Sequence, residues 1–157
     1  MQRELTYMRE AIELSKKGLT GTEGGPFGCV IVKDDKVIGR GWNRVTSMCD
    51  PTAHAEVVAI RDACAKLGSF QLTGCEVYTS CEPCPMCMGA LYWARPEKVF
   101  FANTREDAAA IGFDDSMIYE ELKFSPEARR LSMENIGAPE AIEVFKDWHA
   151  MEERKRY

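Results

Sequence analysis

The chain has 157 residues, of which 45% are hydrophobic and 29% are charged, a balance that excludes a disordered protein and predicts a single domain with one core. Its net charge of −5 disfavours nucleic acid as a partner, because nucleic-acid binders use a basic surface to displace counterions from phosphates. Acidic residues interrupt the N-terminal apolar residues, and no apolar run approaches the roughly 20 residues that cross a bilayer. We therefore expect a cytoplasmic protein with no membrane partner.

The N-terminal quarter of the chain predicts a helix followed by a β-hairpin. Apolar residues recur near helical spacing over residues 4–17, which predicts an amphipathic helix. The segment GLTGTEGGPFG then contains five glycines and a proline, a composition typical of a loop. Two β-rich runs, residues 27–33 and Lys36–Trp42, follow with Asp34 and Asp35 between them, and this order predicts a hairpin.

The rest of the chain alternates predicted helices and strands. The predicted helices cover Ala55–Leu67, Pro85–Ala94, 106–111 and 139–152, and the predicted strands cover 76–79 and 98–102. A hairpin joined to crossover helices and further strands implies a mixed central sheet with helices on both faces. The fold class that we predict is therefore α/β, a three-layer α/β/α domain over residues 1–157.

Seven cysteines, an odd number, occur in a chain that shows no secretory signal. Clustered thiols then indicate metal binding or catalysis, not a disulfide framework. Cys84 and Cys87 lie three residues apart at the predicted start of a helix, so both sulfurs project from one face of its first turn. The helix dipole there favours the thiolate, the form that binds zinc. A redox pair is the alternative, but that motif is expected after the first strand of a βαβ unit.

A third ligand has to come from one of two histidines. His149 lies in the charged C-terminal region, where we expect an exposed residue without a role. His54 stands at the predicted start of a helix, with Glu56 two residues later. At a helix N-terminus, before the first turn closes, both side chains can point to one spot. Two such N-termini presenting His54, Glu56, Cys84 and Cys87 would make a compact site.

Cys81 offers two competing sites. It could complete a closed structural Cys3His zinc site, which leaves no position for water, or contribute to an iron–sulfur cluster, although no fourth cysteine follows in the expected register. Pro83 disfavours helical geometry at Glu82 and turns Cys81 away from the other thiols. Glu56 would also have no use in a closed site. We therefore predict an open catalytic Zn²⁺ site, ligated by His54, Cys84 and Cys87.

Two sequence motifs match a known signature. His54-Ala55-Glu56 and Pro83-Cys84-Pro85-Met86-Cys87 fit the H-x-E and P-C-x-x-C pattern of zinc-dependent nucleobase deaminases. From its first helix to about residue 115 the chain resembles the cytidine deaminase-like superfamily. The resemblance implies that three protein ligands leave one zinc position to water. It also implies that Glu56 takes the water proton, delivers it to a ring nitrogen and helps the amino group leave as ammonia.

Further segments are similar to the small bacterial guanine deaminases. They are GGPFG (24–28), DPTAHAE (50–56), TSCEPCPMC (79–87), GALYWARP (89–96) and AIGFDDS (110–116). This similarity extends over nearly the whole chain and is weakest over residues 123–140. It implies hydrolysis of guanine at C2 to xanthine, in purine metabolism, by homodimers that exchange C-terminal segments.

The same resemblance places seven further residues at the substrate: Phe27, Asn43, Ala55, Trp93, Asp114, Asp115 and Tyr157. Asn43 would contact the base through its amide, and Asp115 would accept the N–H groups of guanine. Phe27 and Trp93 would flank the base, although core packing would explain both aromatic residues equally well. Asp114 has a helix-capping role as its alternative. Residues 138–157 would form a helix and a lid that ends at Tyr157 and covers either the pocket of its own chain or that of the partner subunit.

Three other functions remain open from the sequence. A tRNA adenosine deaminase shares the zinc motif but should carry a basic C-terminal helix, whereas APEAIEVFKDWHAMEE is acidic. A guanosine or cytidine deaminase remains open because small changes in the loops decide whether ribose fits. A non-catalytic zinc-stabilised binding module would hold the metal without releasing ammonia. We expect a small-molecule purine as the partner.

Overall fold

The computed structural model describes residues 1–156, and the chain divides into two compact units, Met1–Asp115 and Ser116–Tyr157. The predicted lid residue Tyr157 lies outside the described residues. The prediction that residues 1–157 form one deaminase domain stays a prediction.

The first unit contains a four-stranded sheet and five α-helices. The strands are β1 (Gly28–Lys33), β2 (Lys36–Trp42), β3 (Cys75–Cys81) and β4 (Lys98–Asn103), and the helices are α1 (Gln2–Ser15), α2 (Val45–Met48), α3 (Ala55–Leu67), α4 (Pro85–Ala94) and α5 (Arg105–Ala110). The bounds of β2, α3 and α4 are those predicted from the sequence. The first helix ends at Ser15, two residues earlier than predicted, and continues as a 3-10 turn over Lys16–Thr20.

The sheet has the strand order β2-β1-β3-β4 and is mixed. Strand β1 pairs antiparallel with both β2 and β3, whereas β3 and β4 are parallel. Asp34 and Asp35 join β1 to β2 with φ angles of 47° and 58°. Both residues are thus left-handed, the conformation that a two-residue hairpin turn needs and that aspartate tolerates better than most residues. The predicted hairpin is confirmed.

Alternate side chains of β1 enter two separate cores. Cys29 and Ile31 pack with residues of α3 and α4 on one face of the sheet, while Val30 and Val32 pack with α1 and Tyr78 on the other. This alternation follows from the two-residue period of a strand, and burial on both faces explains why β1 is apolar throughout. The predicted three-layer α/β/α arrangement is confirmed.

Helix α3 lies directly against the backbone of β2. A Cβ atom added to Gly41 would lie 2.1 Å from Ala55 O, and one added to Gly39 would lie 2.6 Å from Ala59 O. Ala55, Ala59 and Ala63 repeat every four residues, so their small side chains form the helix face that meets these glycines. The contact leaves no room for a larger side chain and therefore fixes the position of α3 on the sheet.

The second unit contains α6 (Ser116–Glu121), a 3-10 turn over Pro126–Ala128, and α7 (Ala138–Ala150). Helix α7 was predicted over residues 139–152 and begins, as expected, with a proline in its first turn. Phe145 is 72% exposed and Trp148 is 43% exposed on this helix. Within residues 1–156, none of the helices has the length and apolar character of a membrane span.

Candidate active site

Two helices begin at the predicted metal ligands. His54 precedes the first residue of α3 and Cys84 precedes the first residue of α4, and both have extended backbones with ψ angles of 156° and 169°. Pro85 then occupies the first position of α4, where a backbone N–H would make no hydrogen bond within the helix, so its absence in proline costs nothing. The extended residue at each helix start turns its side chain beyond the helix end, so the two N-termini face a common point.

The ligand atoms have the spacing that zinc requires. His54 Nδ1 lies 3.6 Å from Cys84 Sγ and 3.6 Å from Cys87 Sγ, and potential ligand atoms of the three residues all lie within 4.8 Å of one another. Tetrahedral zinc with Zn–N near 2.0–2.1 Å and Zn–S near 2.3 Å predicts an N···S separation of about 3.6 Å. Cys87 is buried, whereas His54 and Cys84 are half-buried. The residues therefore fit a zinc ion that is accessible from one side.

The two thiols differ strongly in acidity. Hydrogen bonding from Cys87, followed by hydrogen bonding from His54, lowers the pKa of Cys84 to about 4. Hydrogen bonding to Cys84 and burial raise the pKa of Cys87, and the hydrogen bond to Cys84 raises the pKa of His54. Without metal, the centre therefore holds a thiolate at Cys84. A thiolate is the form that ligates zinc.

Glu56 is 6% exposed in the first turn of α3, beside the ligands. Burial raises the pKa of its carboxyl group, which moves the proton affinity of the group toward neutral pH. Its Oε1 accepts a hydrogen bond of 3.1 Å from the hydroxyl of Thr79, and its Oε2 lies 3.4 Å from Cys87 Sγ. A carboxyl group in this position can take up and release protons next to the metal.

The side chain of Cys81 points away from the three metal ligands. Its Sγ lies 3.6 Å from Thr104 O, to which the thiol donates, and burial raises its pKa to about 11. In the described part of the chain, the cluster with metal-ligand spacing consists of His54, Cys84 and Cys87 without Cys81. The structure therefore does not assemble the closed Cys3His alternative.

Asn43 and Ala55 lie at chain segments that border the site. Asn43 is 5% exposed and follows β2 directly. Its Oδ1 accepts the backbone N–H of Val45 at 3.2 Å, which leaves the amide NH2 as the available donor. Gly24 lies so close that an added Cβ would be 2.1 Å from Asn43 Oδ1. Ala55 is buried at the first position of α3, where backbone N–H groups have no acceptor within the helix.

The predicted aspartates lie at the end of the first unit. Asp115 is half-buried, and burial followed by the negative charge of Cys84 raises its pKa. The carboxylate of Asp115 is thus within electrostatic reach of a metal ligand. Asp114 is exposed.

The two predicted aromatic residues lie in different surroundings. Phe27 packs against the core and also meets Phe113 edge-to-face, with ring centroids 4.9 Å apart. Trp93 is 63% exposed near the end of α4, nine residues after Cys84, which corresponds to about 13 Å along a helix axis. The prediction that Phe27 and Trp93 flank a base held at the zinc stays a prediction.

Comparison with known proteins identifies the family. The model of the cytidine and deoxycytidylate deaminase zinc-binding region matches residues 1–103, which include all three predicted ligands and Glu56. The chain belongs to this deaminase family.

Three relatives show how far the similarity extends. Guanine deaminase of Bacillus subtilis (strain 168) is 49% identical over 97% of both chains, and a solved structure of that enzyme gives a TM-score of 0.93 over the same share. The tRNA-specific adenosine deaminase of Bacillus subtilis (strain 168) is 36% identical over 84% of this chain and 81% of its own. A solved structure in complex with 8-azaguanine is 36% identical, covers 72% of this chain and 65% of its own, and has a TM-score of 0.67.

Two residues near the deaminase site were missed from the sequence. Thr79 lies inside a motif that we recognised for its cysteines, and only the pairing of β3 with its neighbours brings its hydroxyl to Glu56. Phe113 lies in the segment AIGFDDS, in which we assigned a role only to the two aspartates. An aromatic residue directly before such a pair was the available signal.

Proposed function

We propose that this protein hydrolyses guanine to xanthine and ammonia. The observation that carries the proposal is the 49% identity to a guanine deaminase over 97% of both chains. That match continues well beyond residue 103, where the family model ends, and therefore includes the segment with Asp114 and Asp115. The structural relative that was solved with 8-azaguanine, a guanine analogue, adds support.

Guanine suits the polar groups around the candidate site. The N1–H and the 2-amino group of guanine are donors, and Asp115 supplies a carboxylate that accepts from them. The free NH2 of Asn43 donates to an acceptor on the base, because its Oδ1 is already occupied by Val45. The ring of Phe27 lies against the purine, held from behind by Phe113. These contacts would hold the amino group of C2 toward the zinc ligands.

Glu56 carries the protons of the reaction. Zinc, when bound, supplies a Lewis acid that lowers the pKa of water to about 7. Glu56 accepts the proton of the attacking water and passes it to N3 of the base as oxygen adds to C2. The proton of the hydroxyl group now on C2 then reaches the amino group through Glu56, and the C–N bond breaks to release ammonia and leave the C2 carbonyl. Guanine and one water thus give xanthine and one ammonia.

A substrate screen tests this function directly. Ammonia release is measured with guanine, guanosine, adenine, cytosine and cytidine, and zinc content is determined by elemental analysis. We expect one zinc per chain and turnover of guanine above the other four compounds, with Glu56→Gln as the inactive control that retains metal. Turnover of guanosine or cytidine without guanine would transfer the function to a nucleoside, and zinc without any ammonia release would indicate a binding module.

A tRNA substrate is the second candidate, because a tRNA-specific adenosine deaminase is 36% identical over 84% of the chain. The dependence of activity on salt concentration distinguishes the two candidate substrates. Deamination of a small neutral base should change little with ionic strength, whereas tRNA binding weakens steeply as salt is added. Activity on a tRNA anticodon stem-loop that falls with salt, together with no activity on guanine, would overturn the guanine proposal.

We also propose that the protein acts as a cytoplasmic homodimer in purine catabolism or salvage, with C-terminal segments exchanged between subunits. The exposed side chains of Phe145 and Trp148 on α7 support an interface, because large apolar groups grouped on a surface usually mark one. Tyr157 would close the pocket, and Trp93 would flank the base together with Phe27.

A further inference from the structure

Thr79 is held rigidly in the middle of the sheet. It is 1% exposed, and its backbone pairs with Cys29 of β1 on one side and with Phe101 of β4 on the other. A strand residue that is paired on both sides cannot shift its backbone without breaking two ladders. The β-branched side chain has few rotamers to choose from. The hydroxyl of Thr79 is therefore a fixed point beneath the N-terminus of α3.

The hydroxyl of Thr79 donates a hydrogen bond to one carboxylate oxygen of Glu56 and not to the other. Thr79 Oγ1 donates to Oε1 at 3.1 Å, while Oε2 lies 3.4 Å from Cys87 Sγ, on the side of the ligand cluster. The final torsion of a glutamate side chain is broad, so a carboxylate without a partner can turn freely. The threonine hydrogen bond removes this freedom and distinguishes the two oxygens.

Cys87 cannot do the same once it ligates a metal, because a ligating thiolate has no proton to donate. Of the two side chains that contact the carboxylate in the described residues, Thr79 is then the one that still donates. Its hydrogen bond also satisfies a buried acceptor that would otherwise cost free energy.

We propose that Thr79 is a positioning residue for the proton shuttle. Its hydroxyl anchors Oε1 of Glu56, so that Oε2 is the atom that carries protons between water and base. The proposal rests on the proposed function insofar as Glu56 is the shuttle. It does not depend on which base is deaminated.

Two substitutions separate positioning from packing. Thr79→Val keeps the shape and removes the hydroxyl, and Thr79→Ser keeps the hydroxyl and removes a methyl group. Tyr78→Phe is the matched control, because it removes a hydroxyl from the neighbouring residue on the opposite face of β3, where that hydroxyl bonds to Glu76 at 2.8 Å.

We expect Thr79→Val to lower kcat by about 10-fold or more, because a small misplacement of a catalytic group is costly. KM should stay within about twofold, since Thr79 is placed on the carboxylate and not on the substrate. Zinc content should remain one per chain. Thr79→Ser should recover most of kcat, and Tyr78→Phe should keep the kcat of the wild type. The assay uses whichever base the substrate screen finds to be deaminated, so failure of the guanine assignment is distinct from failure of this proposal.

A second measurement needs neither metal nor activity. Urea unfolding of the metal-free protein is compared for Thr79→Val, Glu56→Ala and the double variant. We expect Thr79→Val to lower the midpoint more when Glu56 is present than in the Glu56→Ala background, where the hydroxyl has lost its acceptor. Equal shifts in both backgrounds would overturn the proposal. So would wild-type kcat in Thr79→Val, a loss confined to KM, or a failure of Thr79→Ser to restore kcat.

Discussion

Glu56 combines burial with proximity to the metal ligands. Its carboxyl group is 6% exposed, and burial raises its pKa. Thr79 donates to one oxygen of this carboxyl group at 3.1 Å, and Cys87 donates to the other at 3.4 Å. The proton transfer that we propose is thus assigned to a side chain that does not ligate the metal itself.

Replacing Glu56 with glutamine should separate metal binding from turnover. Glutamine has the same size but cannot shuttle protons, so we expect zinc content to persist while kcat falls by about 10²–10⁴-fold or more. Elemental analysis and ammonia release measure the two effects. Cys84→Ser is the matched contrast, because it should lose both metal and activity. Near-normal turnover of Glu56→Gln would show that another group moves the protons.

Removing the metal should expose a reactive thiol at Cys84. Its pKa is lowered to about 4 from an ordinary value of 9.0, so the thiolate persists as the pH falls and is lost only near pH 4. At pH 6 an ordinary thiol is about 0.1% ionised. We therefore expect iodoacetamide to alkylate Cys84 of the metal-free protein at pH 6, and added zinc to protect it. Peptide mapping by mass spectrometry identifies the modified residue.

Cys81 provides the internal control for that experiment. Burial raises its pKa to about 11, so its thiol stays protonated and unreactive at pH 6. Cys81→Ser should also retain zinc. Loss of metal in Cys81→Ser, or preferential alkylation of Cys81, would return the closed Cys3His site to consideration.

The local sequence pattern was sufficient to predict the metal ligands but not the residues that surround them. His54, Cys84 and Cys87 carry a motif whose chemistry can be read directly from the residue types. Thr79 could not be assigned, because its role depends on strand pairing that no local spacing encodes.

At the scale of elements, the contact between α3 and β2 sets the position of the catalytic helix. Gly39 and Gly41 meet the alanine face of α3 with no side chain between the two backbones. The first residues of α3 therefore reach the same point beside α4 with little freedom. The positions of His54 and Glu56 therefore depend on β2, although its two glycines contribute no side chain to the contact.

Gly41→Ala tests this dependence. The new Cβ would lie 2.1 Å from Ala55 O, so α3 must move away from β2. We expect a loss of about 1–3 kcal/mol in the free energy of unfolding and weaker zinc binding. Urea unfolding and competition with a chelator measure the two quantities.

Gly89→Ala is the control for that substitution. Gly89 lies in α4, and an added Cβ would have no neighbour within 4 Å. A helical glycine replaced by alanine should stabilise the protein by about 0.5–1 kcal/mol and leave zinc affinity unchanged. Equal zinc affinity in Gly41→Ala and Gly89→Ala would contradict the positioning role of the β2 contact.

The longer elements were predictable because their patterns are strong. Thirteen residues of apolar spacing closed by Gly68 defined α3, and Asp34-Asp35 defined the hairpin. Helix α2 has four residues and α6 has six, too few for periodicity to stand out. Such short helices form through their surroundings: Ser47, within α2, donates its backbone N–H to Glu23 O at 3.2 Å.

At the scale of the whole molecule, the C-terminal segment tests whether catalysis needs a second chain. Deleting residues 154–157 should leave fold and zinc intact but lower guanine turnover by at least about 10-fold, or about 1.4 kcal/mol, because water enters the pocket. Circular dichroism, elemental analysis and ammonia release follow the three properties. Full activity of the truncated protein would mean that the segment is not a lid.

Mixing two proteins of lowered activity then identifies whose pocket is covered. The truncated chain keeps Glu56, and a full-length Glu56→Gln chain keeps its C-terminal segment. If the segments exchange, a mixed dimer pairs an intact catalytic centre with an intact lid, and activity should partly return. No recovery in proven mixed dimers would show that each chain closes its own pocket.

The exposure of Trp148 also has a spectroscopic consequence. This indole is 43% exposed on α7, and an indole in contact with water fluoresces at longer wavelength than one covered by apolar groups. With Trp42 and Trp93 replaced by phenylalanine, Trp148 is therefore an intrinsic optical reporter of what covers α7. An emission maximum that moves to shorter wavelength as the protein is concentrated would report cover by a second copy, whereas a long-wavelength maximum at every concentration would show that no second copy covers this indole.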